Sequence, residues 1–234
     1  MKNLKYLMVV VLIMSMTGCI DGQIHKTVHG DKNVVKKERS TESFTGIKVS
    51  SGIDVYLSQG DKISVDVEAD ENLHEYIKTE VKNGTLDVYT DVNIRDAEKK
   101  RVIVTMKEIT YLSCTSAGDL FGETSVKTEN LRLNCSSAGD IKLEIYVKDV
   151  DIDISSSGDI TLTGEGEKLN ADLSSAGNLN AYEFKVKEAD ISVSSAGDAD
   201  VFVTEKLRAD ASSAGGVNYK GDPKNVDAHS SSAG

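Results

Sequence analysis

Three aspartates directly follow three glycines at nearly even intervals: Asp119 after Gly118, Asp140 after Gly139 and Asp159 after Gly158. Carboxylates recurring in this way could collect a divalent ion such as calcium, because hard cations gather carboxylate oxygens. A second set stands before Gly139, Gly158, Gly177, Gly197 and Gly215. Positions five residues upstream read Asn134, Asp153, Asp172, Ser192 and Asp210, and positions seven upstream read Arg132, Asp151, Asn170, Asp190 and Arg208. Asp151, Asp153, Asp172 and Asp190 form a candidate ligand face, and a polysaccharide-cleaving enzyme would draw its paired carboxylates from them.

Neither chemistry is well supported by spacing. The aspartate series is interrupted by Asn178, restored at Asp198 and lost at Gly216, and the nonapeptide spacing of calcium-binding β-rolls is absent. An Asp after a turn glycine also serves the backbone by accepting from nearby amides. The two arginines of the second set lie four repeats apart, roughly 19 Å if each repeat adds one strand width. An acidic face would repel polyuronates as well. His25, His29, His74 and His229 are scattered without metal-ligand spacing. Gly164-Glu165-Gly166-Glu167-Lys168 lacks the spacing and following hydroxyl of a phosphate loop and reads as a turn. Aromatic residues make up 5% of the chain, too few for an extended stacking platform, although Tyr146 and Tyr182 could contribute locally. The expectation is a binding or scaffold protein with no catalytic site, metal or cofactor; a carbohydrate-active protein, calcium-dependent or not, is the alternative.

These residues are positioned by a repeat. Ser136-Ser137-Ala138-Gly139-Asp140 has close copies ending on Gly118, Gly158, Gly177, Gly197, Gly215 and Gly234, so that successive glycines stand 21, 19, 19, 20, 18 and 19 residues apart. A period of about 20 is one coil of a β-solenoid. Apolar residues between the turns alternate, as in Leu131, Leu133, Cys135 and Ile141, Leu143, Ile145, which is the period of a strand. Aligned on the glycines, the coils stack Leu112, Leu133, Ile152, Ala171, Ile191 and Ala209 in one inward column. Cys114, Cys135, Ile154, Leu173, Val193 and Ala211 make a second, and Leu120, Ile141, Ile160, Leu179, Ala199 and Val217 a third. The fold class is therefore all-β, a parallel β-helix. Continuing the alternation through the turns points Ser116, Ser137, Ser156, Ser175, Ser195 and Ser213 inward as a hydroxyl column. It assigns the turn glycines Gly118, Gly139, Gly158, Gly177, Gly197 and Gly215 to corners of positive φ.

Upstream of the repeats the chain carries an address. Lys2 and Lys5 precede an apolar run from Tyr6 to Met14, followed by Thr17-Gly18-Cys19. Residues 1–18 have the layout of a secretory signal, and Thr17-Gly18-Cys19 resembles the lipobox of bacterial lipoproteins, which implies cleavage before Cys19 and a lipid on its sulfur. Residues 19–42 are polar and mixed in charge and read as a flexible tether. Cleavage removes Lys2 and Lys5 and takes the formal net charge from −11 to −13, which disfavours nucleic acid as a partner. The expected partners are a membrane through the lipid, and a carbohydrate or a cell-surface protein. The expected location is the cell envelope, at the outer membrane, facing the periplasm or the surface. Cys114 and Cys135 should stack in adjacent coils, either bridged or, as the favoured reading, as free buried thiols.

Residues 43–108 are β-rich with a weaker repeat. Ile47 to Val55 looks like an early coil, Asn83-Gly84 carries the dipeptide of a tight hairpin, Asn72 to Lys78 could hold one helical turn, and Asp91 to Lys100 is a charged loop. Residues 109–234 hold the regular coils. Phe44-Thr45-Gly46-Ile47-Lys48-Val49, Asp54-Val55-Tyr56-Leu57, Gln59-Gly60-Asp61, Thr79-Glu80-Val81, Gly84-Thr85-Leu86 and the serial Ser-Ala-Gly-Asp turns together resemble the auto-transporter adhesin head GIN domain family, over residues 43–234. The resemblance implies a secreted or lipid-anchored β-helical protein without a defined set of functional residues, and a further short strand beyond the last turn. Strand parity gives a direct test. Ile152→Asp should abolish cooperative unfolding, whereas Asp153→Ala should shift the unfolding midpoint by no more than about 0.5 kcal/mol equivalent.

Overall fold

The structure, a computed structural model, describes residues 26–234. The expected signal segment 1–18 and Cys19 lie outside the described residues, as does His25. In chain order the strands begin with β1 (Thr27–His29), β2 (Val34–Arg39), β3 (Gly46–Val49), β4 (Asp54–Gln59) and β5 (Ser64–Asp70). A 3-10 turn at Glu71–Leu73 leads to β6 (Lys78–Lys82), β7 (Thr85–Tyr89), β8 (Asn93–Arg95) and β9 (Lys100–Met106). Then come β10 (Tyr111–Cys114), β11 (Asp119–Gly122), β12 (Val126–Cys135) and β13 (Asp140–Ile154). The chain ends with β14 (Asp159–Leu173), β15 (Asn178–Ser194), β16 (Asp198–Ser212), β17 (Gly216–Lys220) and β18 (Asn225–Ser231).

From β10 onward the chain is a β-solenoid whose coils pair in parallel and in register. The first apolar column is continuous through Leu112↔Leu133, Leu133↔Ile152, Ile152↔Ala171, Ala171↔Ile191 and Ile191↔Ala209. The other two columns are equally in register, through Cys114↔Cys135 and Leu120↔Ile141 and their successors. These residues and their alternating companions form one continuous core, except Ala211 and Val217, which are half-buried at its C-terminal end. The parity changes once per coil: Ile145 and Val147 point inward, and then Val150 and Ile152 do. The strand bends there without breaking, so Gly164 to Lys168 lies within β14 and is not the free turn expected.

The corner at the repeat motif differs from the expectation in a way that changes the role of every residue in it. The serine and the alanine, not the glycine, have positive φ: Ser137 at 52° and Ala138 at 60°, and likewise Ser116 and Ala117, Ser175 and Ala176, Ser195 and Ala196. Gly139 then donates its N–H to the Ser136 carbonyl at 3.1 Å, closing the turn, and two successive positive φ values are the mark of a type I′ turn. This backbone breaks the alternation, so Ser116, Ser137, Ser156, Ser175, Ser195 and Ser213 point to solvent rather than into a buried column. The hydroxyl contact falls one residue earlier, where Ser136 Oγ donates to Thr115 Oγ1 at 3.2 Å.

The turn glycines are required for space. Gly118, Gly139, Gly158, Gly177, Gly197 and Gly215 are absent from the positive-φ glycines, but all six are buried. A Cβ on Gly158 would lie 2.7 Å from the Cys135 carbonyl carbon, and one on Gly118 would lie 2.9 Å from Ser50 Cα. The left-handed residues cost about 1 kcal/mol each or more. Hydrogen bonds to the next coil offset that cost: Ala117 N–H donates to Ser137 O at 3.0 Å and Ala138 N–H to Ser156 O at 3.2 Å.

The interior adapts where the repeat length varies. Gly164 and Gly166 leave the core of their coil without side chains, and Phe184 of the next coil fills the space, fully buried, so close that a Cβ on Gly166 would lie 2.8 Å from its Cζ. The pairing of β15 with β16 shifts between Ala181 and Lys185, in the coil whose glycines, Gly177 and Gly197, stand 20 apart.

The N-terminal part closes one end of the stack. β7 pairs parallel beneath β3, and β9 beneath β4, so the chain threads under its own first coil before continuing through β10 and β11 above it. Antiparallel strands then finish that end: β6 on β7, β5 on β9 and β2 on β5. Such strands occupy edges that would otherwise recruit other chains. The Asn83-Gly84 hairpin forms as expected, with both residues at positive φ. The expected helical turn is the short Glu71–Leu73 element, and the charged loop contains β8.

Residues 19–42 are correspondingly not a tether throughout. β1 pairs with β8 and β2 with β5, and the intervening loop is pinned by Asp70. This buried carboxylate accepts from the backbone N–H of Lys32 at 2.9 Å, Glu98 at 3.0 Å and Lys99 at 3.0 Å. Burial pushes its carboxyl up, but the backbone donors outweigh burial and hold it below the ordinary carboxylate range. Polar composition concealed these strands because they lie on the surface of the cap, with Lys36 and Lys37 directed outward. The corner geometry predicts opposite outcomes at two adjacent turns. Gly158→Ala should cost about 3 kcal/mol in chemical unfolding, and Ala138→Gly should be neutral or stabilise by up to about 1 kcal/mol.

Candidate functional site

The stacking converts each offset from the turn glycine into a row of side chains running along the solenoid axis. Asn134, Asp153, Asp172, Ser192, Asp210 and His229 are successive partners in one row. Arg132, Asp151, Asn170, Asp190, Arg208 and Asp227 form the neighbouring row. The candidate ligand face is thus divided between two rows, Asp153 beside Asp172 in one, and Asp151 and Asp190 on either side of Asn170 in the other.

A groove of about 560 Å³ follows the first row across the coils from Asp153 to His229. Its walls are Asp153, Asp172, Ser192 and Asp210 on one side and Ser155, Ser174, Ser194 and Ser212 on the other. It leaves out Asp151 and Asp190, and it includes Asp210, which sequence offsets placed in the row but which was not singled out as a ligand. The serines were also missed. They stand two residues beyond the first row on the same face, at the entry to the Ser-Ala corner.

Most of the carboxylates are already engaged. Arg132 reaches diagonally to Asp153 at 3.0 Å, and Arg208 lies 3.3 Å from Asp210 and 3.8 Å from Asp190. Asn170 Nδ2 donates to Asp151 Oδ1 at 2.8 Å. Asp172, in the middle of the groove, has no hydrogen bond or ion pair among the described residues. Asp153 and Asp172 project side by side from neighbouring parallel strands, so they address a ligand from one side. A glycosidase pair instead flanks the scissile bond.

On the opposite flank of the corner, Asp119, Asp140, Asp159, Asn178 and Asp198 form one in-register row. Asp54 joins it as the partner of Asp119, with Arg101 below. Sequence spacing missed Asp54 because its turn, Ser51-Gly52-Ile53, departs from the repeat motif. The row is knitted together: Asp140 N–H donates to Asp119 Oδ1 at 3.1 Å, and Asn178 Nδ2 to Asp159 Oδ1 at 2.7 Å. Burial pushes the carboxyl of Asp119 up, helped by the charges of Asp140 and Asp54. Burial also raises Asp140, helped by Asp159, and raises Asp54 against the pull of Lys100 and Arg101. Like charges one strand width apart repel by about 0.8 kcal/mol per pair even in water. Among the described residues no group of three or more His, Cys, Asp or Glu side chains is placed to hold a metal ion.

Cys114 and Cys135 are free, buried thiols stacked in adjacent coils. Burial pushes the Cys135 thiol up to about 12 and raises Cys114 as well, which leaves both as packing groups rather than nucleophiles.

Comparison with known proteins agrees with this architecture. Residues 43–223 match the family model described as "Putative auto-transporter adhesin, head GIN domain". A "putative adhesin" from Bacteroides fragilis NCTC 9343 is 20% identical with a TM-score of 0.80, over 88% of this chain and 97% of that one. A "Putative lipid binding protein" from Parabacteroides distasonis ATCC 8503 is 23% identical with a TM-score of 0.70, over 88% and 98%. A "putative adhesin" from Parabacteroides merdae ATCC 43184 is 20% identical with a TM-score of 0.71, again over 88% and 98%. No curated protein matches. The solved structures share the fold, and because the family model spans most of the sequence, this chain belongs to the auto-transporter adhesin head GIN domain family.

Proposed function

We propose that this protein is a lipid-anchored adhesin of the cell envelope, held by a lipid on Cys19, and that it acts by binding without catalysis. Its ligand, a carbohydrate or a cell-surface protein, lies along the groove that carries Asp153, Asp172, Ser192 and Asp210. The observation that carries this reading is the state of the carboxylates: Asp153 and Asp210 are neutralised by arginines, while Asp172 is left for a ligand. A rigid, repeating row of acceptors and hydroxyls suits recognition of an extended polar partner. General acid–base work would require one carboxyl kept protonated opposite another kept ionised, and ion-paired aspartates on one face do not supply that. One structural relative carries a lipid-binding name; in this groove the carboxylates and hydroxyls stand beside Ile154, Leu173, Val193 and Ala211, so its rims offer hydrogen bonds to a polar ligand while its floor is apolar.

Two measurements test the proposal. In cells producing the full chain, Cys19→Ser should abolish incorporation of labelled fatty acid and move the protein from the membrane to the soluble fraction. Unchanged labelling would remove the anchor from the reading. Cells displaying the full chain should be retained on immobilised polysaccharide or host-cell surfaces, and Asp172→Lys should reduce retention about threefold or more. Retention equal to that of cells lacking the protein would overturn the adhesive role.

A further inference from the structure

A second groove, of about 290 Å³, runs along the other flank of the corner, over β11, β13, β14 and β15. Phe121, Lys142, Thr161 and Asn180 are consecutive partners in the row that lines it. Asp140, Asp159 and Asn178 form its other wall. This row changes chemistry at every strand step, from ring to ammonium to hydroxyl to amide, over roughly 14 Å.

The aromatic end is braced. Phe121 is half-buried, with its ring centroid 5.4 Å from that of Tyr56 and tilted by 36°. The Arg101 guanidinium lies 5.2 Å from the Tyr56 centroid, and Glu68 holds Arg101 in place at 2.6 Å. The ring is therefore fixed as a wall at one end of the groove rather than free to fold over it.

The polar groups are uncommitted. Lys142, Thr161, Asn180 and the Asp140 carboxylate make no side-chain hydrogen bond or ion pair among the described residues. Rows at the far bend of the coil behave differently. Asp149, Lys168, Glu188 and Lys206 alternate in sign as direct partners, and Lys187 pairs with Glu167 at 3.0 Å. Where charge needs only to be stabilised, the solenoid thus alternates and pairs it. Beside Phe121 it leaves a mixed set of donors and acceptors open, next to an apolar ring.

We infer that this second groove binds a linear, neutral oligosaccharide laid along the solenoid axis, with one sugar against Phe121 and hydroxyls of the following units bonded to Lys142, Thr161 and Asn180. Sugar hydroxyls both donate and accept, and so satisfy an ammonium, a hydroxyl, an amide and a carboxylate in succession. The C–H face of a pyranose supplies the apolar contact that an aromatic wall favours. Asp140 and Asp159 repel polyanions such as polyuronates. The inference rests on the reading of the protein as a binding module and names the ligand class, at a site separate from the Asp172 groove.

The test is calorimetric titration of the purified full chain with cellotetraose, maltotetraose and N,N′,N″,N‴-tetraacetylchitotetraose, with tetragalacturonate as the charged comparison. At least one neutral tetrasaccharide should bind, and tetragalacturonate should bind at least about tenfold more weakly. Phe121→Ala and Asn180→Ala should each weaken binding about tenfold. Asn180 is exposed, so its variant should keep the parental unfolding midpoint and separates loss of contact from loss of fold. Glu188→Gln, at the far bend and outside both grooves, should leave the titration unchanged. Failure of all three neutral sugars to bind, binding undiminished in both groove variants, or equal affinity for tetragalacturonate would each overturn the inference. Surface retention that persists and remains sensitive to Asp172→Lys, with no tetrasaccharide bound, would overturn this site alone and leave the adhesive reading standing.

Discussion

Most residues of the regular coils sit directly over their counterparts in the coil before, one strand width away, because the backbone pairs in parallel with no offset over most of its length. That constraint acts on each side chain through the ones above and below it. In the inward columns apolar residues stack on apolar residues, as Ile152, Ala171 and Ile191 do, which differ in size but not in kind. The same constraint brings like charges together, so a row of aspartates is the default result of repeating a motif and must be either corrected or used.

Both outcomes occur in this molecule. At the far bend, substitution within the repeat has produced rows of alternating sign, with each charge next to its opposite. At the flanks of the Ser-Ala corner the acidic residues persist. There the chain relies on arginines reaching across from the adjacent row, on amide and backbone donors to Asp119 and Asp159, and on upward-shifted carboxyls at Asp119 and Asp140. The flanks of the corner thus keep like charges side by side, whereas the far bend alternates them.

The coil architecture was legible in the sequence because strand parity and an even glycine spacing are both local signals, and the three apolar columns could be aligned by counting. Counting failed at the corner. Extending a period of two through Ser137 assumes extended backbone, and two left-handed residues reverse the direction that the parity predicts. Glycine was then given the conformational role that serine and alanine fill, while its own role, close approach to the coil beneath, depends on a neighbour some 20 residues away. The cap was hidden for a related reason. Val34 and Val35 carry a short apolar signal, and the carboxylate that fixes their approach, Asp70, comes from a distant strand. At the candidate sites, the Asp153 and Asp119 rows could be read as offsets from a glycine. The pairing of Tyr56 with Phe121 could not, because it arises from the chain threading beneath its first coil.

Phe184 and the two side-chain-free positions opposite it make a lock between one coil and the next. Most coils in this solenoid could in principle be copied or removed as modules, since each offers its neighbours the same apolar pattern. The pair joined at Gly166 and Phe184 could not. Duplicating the phenylalanine coil alone would set one ring on another, and deleting it would leave a void beneath β16. Growth or shrinkage of the array in evolution is therefore channelled to either side of this junction, which must be inherited as a single two-coil unit.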